Sequence, residues 1–201
     1  MKVLVYFGFV ALLPNQSASY LFAQTISSNP LTQVENNTGI FETFSVTGLI
    51  SSLIVGNVTN ISSFTPNENL FSSPVDYIEA GNWSLNVVDK KIRNFDVNFT
   101  MVHPDGSDWH YHEIGNFQSD PDVPVLLEYD GTTFEGTTDV GEDGMDKWFD
   151  VQTSVIISDL NTITIFLDPV DTENHFNSQA VYGIITSSVD MNGNPIFKSK
   201  I

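Results

Sequence analysis

The chain has 201 residues, 7 Lys+Arg against 25 Asp+Glu, a formal net charge of −18, and no cysteine. That length supports one sizeable core. The charge leaves no basic stripe to meet phosphates, which excludes nucleic acid as a partner. The lack of thiols excludes disulfide staples, blue-copper and iron–sulfur chemistry.

The N-terminus reads as an export signal. Lys2 supplies the charge, Val3 to Leu13 is an apolar run of the right length, and small residues lead to a cleavage site after Ala23. Residues 1–23 are thus expected to be removed, leaving the protein secreted or in the cell envelope. No later stretch approaches the 18 or so apolar residues of a membrane helix, so no transmembrane span is expected in the mature chain. Residues 24–40 are polar and read as a flexible linker, and 41–201 as one antiparallel β domain. Asn-X-Ser/Thr triplets make Asn36, Asn57, Asn60, Asn82 and Asn98 candidates for glycosylation.

Phe41 to Val55 alternates as a first strand, with Phe44, Val46, Ile50 and Ile54 on one parity. Asn57 to Ser73 reads as a loop. Ser73-Pro74 pairs a capping residue with proline at a first helical position, which predicts a short helix near 74–80 stopped by Gly81. From Asn82 the pattern is continuous β. Strands are expected over 82–87, 92–103, 109–117, 125–129, 132–140, 147–157, 162–167 and 180–189, separated by Asp/Gly/Asn/Pro turns. With the first strand this gives about nine strands in an antiparallel barrel or sandwich.

Three of the four histidines fall in Met101-Val-His-Pro-Asp-Gly-Ser-Asp-Trp-His-Tyr-His-Glu-Ile-Gly-Asn-Phe117. The stretch reads as a hairpin turned at Asp105-Gly106. His110 and His112 share one face of a strand, about 6.5–7 Å apart at Cα, close enough to bind one metal. Phe95, Val97, Phe99, Met101 and His103 alternate on the core face of the preceding strand. If His103 pairs with His110, all three histidines gather on the inner face, while Trp109, Tyr111 and Phe117 point outward. The candidate metal ligands are therefore His103, His110 and His112. Three neutral imidazoles suit zinc or copper.

His175 is a possible fourth ligand, although it lies in a polar loop with Asp168, Asp171 and Glu173, where a solvated histidine is the plainer reading. Met101 can offer a sulfur to copper but sits where a core residue is expected. Glu113 alternates away from His112 and is at best an outer partner of the site.

The string His110-Tyr-His112-Glu113-Ile-Gly115-Asn116 resembles the copper strand of copper/zinc superoxide dismutases, and His175-Phe-Asn resembles that family's bridging-histidine segment. The resemblance implies a copper-capable strand on a β architecture. A His-X-His strand beside a third histidine also resembles the alpha-type carbonic anhydrases, which implies a zinc site. As a whole the chain is similar to uncharacterised secreted archaeal proteins with an acidic all-β domain, which implies a place outside the cell membrane. The sequence thus supports a secreted copper- or zinc-binding β domain. Its alternatives are a metal-free surface domain that binds a ligand, an envelope protein or a second copy of itself, and a zinc-dependent lyase or hydrolase. Whether the protein is an enzyme stays open at this point.

Overall fold

The computed structural model describes residues 39–56 and 75–196. Eight antiparallel strands close into one barrel in simple up-and-down order: β1 (Phe44–Val55), β2 (Val75–Val88), β3 (Lys91–Val102), β4 (His110–Ser119), β5 (Gly131–Glu142), β6 (Met145–Ser158), β7 (Thr162–Leu167) and β8 (Val181–Asp190). β8 returns to pair with β1, so no strand edge is left open. The described residues contain no helix. The expected signal at 1–23, most of the linker, and Asn36, Asn57 and Asn60 lie outside the described residues.

Alternation decides the interior. One parity of β1 supplies Phe44, Val46, Ile50 and Ile54, and one parity of β3 supplies Phe95, Val97, Phe99 and Met101, all buried. Val151, Val155, Ile157, Ile163 and Ile165 fill the opposite wall. Each such side chain contributes about 1.5–3 kcal/mol on burial, which is what a chain without disulfides must rely on. Gly48 faces Trp83 across β1 and β2. A Cβ at Gly48 would stand 2.4 Å from Trp83 Nε1 and 2.0 Å from the Ile184 carbonyl, so only glycine leaves room for the indole.

Three hairpins turn on adjacent left-handed residues, one of them at Asp159 and Leu160 between β6 and β7 (φ 50° and 53°). Asp89 and Lys90 (φ 51° and 65°) join β2 to β3, and Asp143 and Gly144 (φ 53° and 79°) join β5 to β6. At the β4–β5 bulge between Gly115 and Gln118, Asn116 has φ 54°. The bulge reverses the alternation, so Phe117 turns inward onto Phe95 and Phe134, with ring centroids 5.6 and 5.4 Å away. Strict alternation had placed Phe117 outside.

Three sequence expectations need correction. Residues 75–80 are strand, not helix: Ile54 pairs with Tyr77 and Leu53 with Ile78. Pairing to β1 on one side and β3 on the other outweighs the capping signal. Gly81 does not stop a helix but sits where β2 presses on β3, its would-be Cβ 2.0 Å from the Asn98 carbonyl. Residues 125–129 are not a ninth strand. They make only two isolated bridges, Leu127 with Phe41 and Glu128 with Gly131, and Val125 and Leu127 are buried.

The β3–β4 register is the third correction. Met101 pairs with His110 and Phe99 with His112, two residues away from the pairing of His103 with His110. The cause is the connection. His103 to Trp109 form a loop closed by His103 N–H to Ser107 O (3.0 Å) and Gly106 N–H to His103 O (2.8 Å), longer than a tight Asp-Gly hairpin. A shift of two preserves the faces, so His110 and His112 still point inward.

Candidate metal centre

His110 and His112 open β4 at the end of the barrel where β3, β5 and β7 finish. His112 is 0% exposed and His110 9%. Two further residues meet them. Glu142 is the last residue of β5 and pairs directly with His112. His175 comes from the segment between β7 and β8. One ligand atom from each of His110, His112, Glu142 and His175 lies within 4.8 Å of every other.

The segment carrying His175 is tied down at several points. Thr172, 1% exposed, donates through Oγ1 to the Asp168 carbonyl (2.9 Å). The Asp171 carboxylate accepts from Gln152 N–H (3.0 Å) on β6. Asn177 Nδ2 donates to Asp76 on β2 (3.2 Å). Gln179 grips the end of β1 in both senses, donating to the Val55 carbonyl (2.6 Å) and accepting from Val55 N–H (3.1 Å). Phe176 is buried against Phe99, His112 and Trp148. The segment therefore presents His175 on a fixed support rather than in solvent.

The ring nitrogens are assigned by their partners. Carbonyl oxygens only accept, so Nδ1 of His110 donates to the Asp108 carbonyl (2.9 Å) and Nδ1 of His112 to the Gly141 carbonyl (3.0 Å). Both rings are thereby held with the Nε2 lone pair free, the orientation metal-binding histidines receive from their outer partners. His112 Nε2 lies 3.1 Å from His175 Nε2. Two nitrogens on one tetrahedral zinc, each 2.0–2.1 Å from it, would be about 3.3 Å apart, so the pair is already near ligand spacing. His175 Nε2 is 3.7 Å from Glu142 Oε2.

Burial favours the neutral form of the His112 and His175 imidazoles. It drives the His112 pKa down to about 4, more strongly than its bond to Gly141 raises it, and the neighbouring histidines add to the drop. Burial also lowers His175, against the opposing pull of Glu142. Burial alone would raise Glu142. Lys147, whose Nζ donates to both carboxylate oxygens (2.8 and 2.7 Å), outweighs it and holds the group below its ordinary value. Three imidazole nitrogens and one carboxylate are a donor set that zinc and copper accept.

The structure does not bring His103 to this group. Its Nδ1 donates to the Asp76 carbonyl (2.6 Å), and the Tyr77 ring, stacked on it at 4.2 Å, also sets its edge against His110 at 5.6 Å. Tyr77 is held there by a short hydrogen bond to Asp108, which pushes its hydroxyl pKa up to about 12. Met101 is a buried core residue opposite His110, outside the ligand group. Glu113 is on the outer face, accepting from the Tyr111 hydroxyl (3.1 Å). Asn82 and Asn98 are cross-strand neighbours on the outer face, and Asn98 accepts from Tyr111 (2.7 Å). Trp109 is 62% exposed.

Glu142 and the role of His175 escape strand reasoning. For His175 one signal existed: Phe176, an aromatic residue inside a polar segment, needs a place to bury. Glu142 offered no such signal among so many acids.

No family model, no curated protein and no solved structure matches the chain.

Proposed function

We propose that the protein is an extracytoplasmic metal-binding β-barrel that holds one divalent zinc or copper ion between His110, His112, His175 and Glu142. The observation that carries this reading is the 3.1 Å approach of His112 Nε2, in a ring oriented by the Gly141 carbonyl, to His175 Nε2, with burial favouring the neutral form of both rings. Such a pair has one hydrogen bond at most to gain from its closeness, whereas a cation satisfies both lone pairs at once. The Lys2 and Val3–Leu13 pattern supports export, and the lack of cysteine fits a site built from nitrogen and oxygen.

Elemental analysis of protein purified without a histidine tag, followed by titration calorimetry with Zn²⁺ and Cu²⁺, tests this. One ion per chain is expected. Protein that carries no metal and binds neither ion would reject it. A second reading, a barrel that docks an envelope partner or another copy of itself, is supported by the outward Leu49, Leu53, Ile78, Tyr182 and Ile184, which are 40–51% exposed. It would gain if no metal binds.

A further inference from the structure

Beneath the four ligands the barrel interior holds polar atoms that metal binding does not use. Cross-strand pairing sets Ser52, Glu79, Met101 and His110 side by side around the inner wall, one each on β1 to β4. Ser52 Oγ and both Glu79 carboxyl oxygens are buried without a hydrogen-bond partner. Glu79 is 1% exposed.

The residues around Glu79 offer no counter-charge. Its own strand places Tyr77, Gly81 and Trp83 on the same face. β1 contributes Ile50, Ser52 and Ile54, and β3 contributes Phe99 and Met101. The titratable groups facing it are Tyr77 and His110. An ionised carboxylate is disfavoured in such a setting, and the one polar side chain paired directly across from it is Ser52. Burial accordingly raises the Glu79 pKa to about 7, with the Ser52 hydroxyl opposing in part.

The ligand group is one-sided. Its members come from β4, β5 and the segment between β7 and β8, and none comes from β1, β2 or β3. Glu142 gives one lone pair on each oxygen to Lys147, which leaves one on each oxygen for a cation. The side of the group that carries no ligand is the one lined by β1 to β3, where Glu79 lies, and a water there would add to the four donors as a fifth.

Resting on the metal reading, we infer that Glu79 and Ser52 form an inner subsite that receives the hydrogen of a water or other small protic ligand held by the cation. The step balances simply. One O–H bond of the water breaks, its proton joins a Glu79 oxygen, and hydroxide stays on the ion. Nothing is oxidised or reduced. This gives the centre the base that metal-assisted hydration or hydrolysis needs.

The test uses Co²⁺ as the probe, in full-length wild type, Glu79→Gln and Ser52→Ala, with the visible spectrum of the bound ion recorded across pH. Wild type should show a pH-dependent spectral change. Glu79→Gln should bind Co²⁺ within about threefold of wild type, because it is not a ligand, yet move the midpoint by about one pH unit or more. Ser52→Ala should move it less. Glu79→Asp, which keeps the charge but shortens the reach, gives the same comparison if the glutamine variant fails to fold. Titrations that superimpose in wild type and the Glu79 variants would overturn the subsite while leaving the metal centre standing. Failure of wild type to take up Co²⁺ would instead remove the metal centre, and the subsite with it.

Discussion

His112 and His175 are 63 residues apart and meet Nε2 to Nε2 at 3.1 Å. The first is fixed by a strand in the barrel wall. The second is carried by a segment stapled to β1, β2 and β6. His112→Ala and His175→Ala should each weaken Zn²⁺ or Cu²⁺ binding by at least about 100-fold, since each removes a direct ligand. His103→Ala should stay within about threefold, because its ring is turned to Asp76 and shielded by Tyr77. Calorimetric titration of the three variants checks this, and a large loss in His103→Ala alone would reverse the assignment.

Glu142 is shared between the cluster and Lys147. Glu142→Gln should weaken metal binding about 10-fold or more by removing the one anionic ligand. Lys147→Met should instead strengthen it a few-fold at low ionic strength, since the ammonium competes for the same oxygens and sits at the surface where salt screens it. Measuring both at low and high salt separates these effects.

The metal-free protein should be sensitive to acid through His112. Its folded pKa is about 4 against 6.5 for a free histidine. Above 6.5 neither state is protonated there, and the group costs nothing. As pH falls from 6.5 to 4 the unfolded chain takes up the proton first, so stability drops, by roughly 3 kcal/mol in all. His112→Leu should flatten that part of the curve of stability against pH. A saturating metal should delay the acid transition, adding about 2.7 kcal/mol at 100 times its Kd.

Glu79 works in the opposite direction. Its carboxyl is raised from 4.5 to about 7. Below 4.5 both states are protonated. Between 4.5 and 7 the unfolded chain ionises and the folded one does not, so stability falls as pH rises. Glu79→Gln should therefore stabilise the metal-free protein by roughly 2–3 kcal/mol at pH 8 and by about nothing at pH 4. Urea unfolding at the two pH values reads the difference directly, and an equal effect at both would show that ionisation is not the cause.

Much of the architecture was legible in the chain itself. Period-two alternation sorted Phe44, Val46, Phe95, Val97 and Phe99 to the interior, and it put His110 and His112 on one inward face. Those facts depend only on a strand turning its side chains by half a revolution per residue, and they survive a register shift of two. Register itself was decided by the seven-residue loop at 103–109, closed by bonds from His103 N–H to Ser107 and from Gly106 N–H to His103. The strand at 75–80 was decided likewise, by neighbours on β1 and β3 that outweighed a local helix signal. The site needed still more. Glu142 reaches His112 through the β4–β5 pairing, and His175 reaches it because the closed barrel brings the segment after β7 to the same rim. Sequence patterns report which way a residue faces on its own strand. Which residues from elsewhere it faces is set by the closure of the whole sheet.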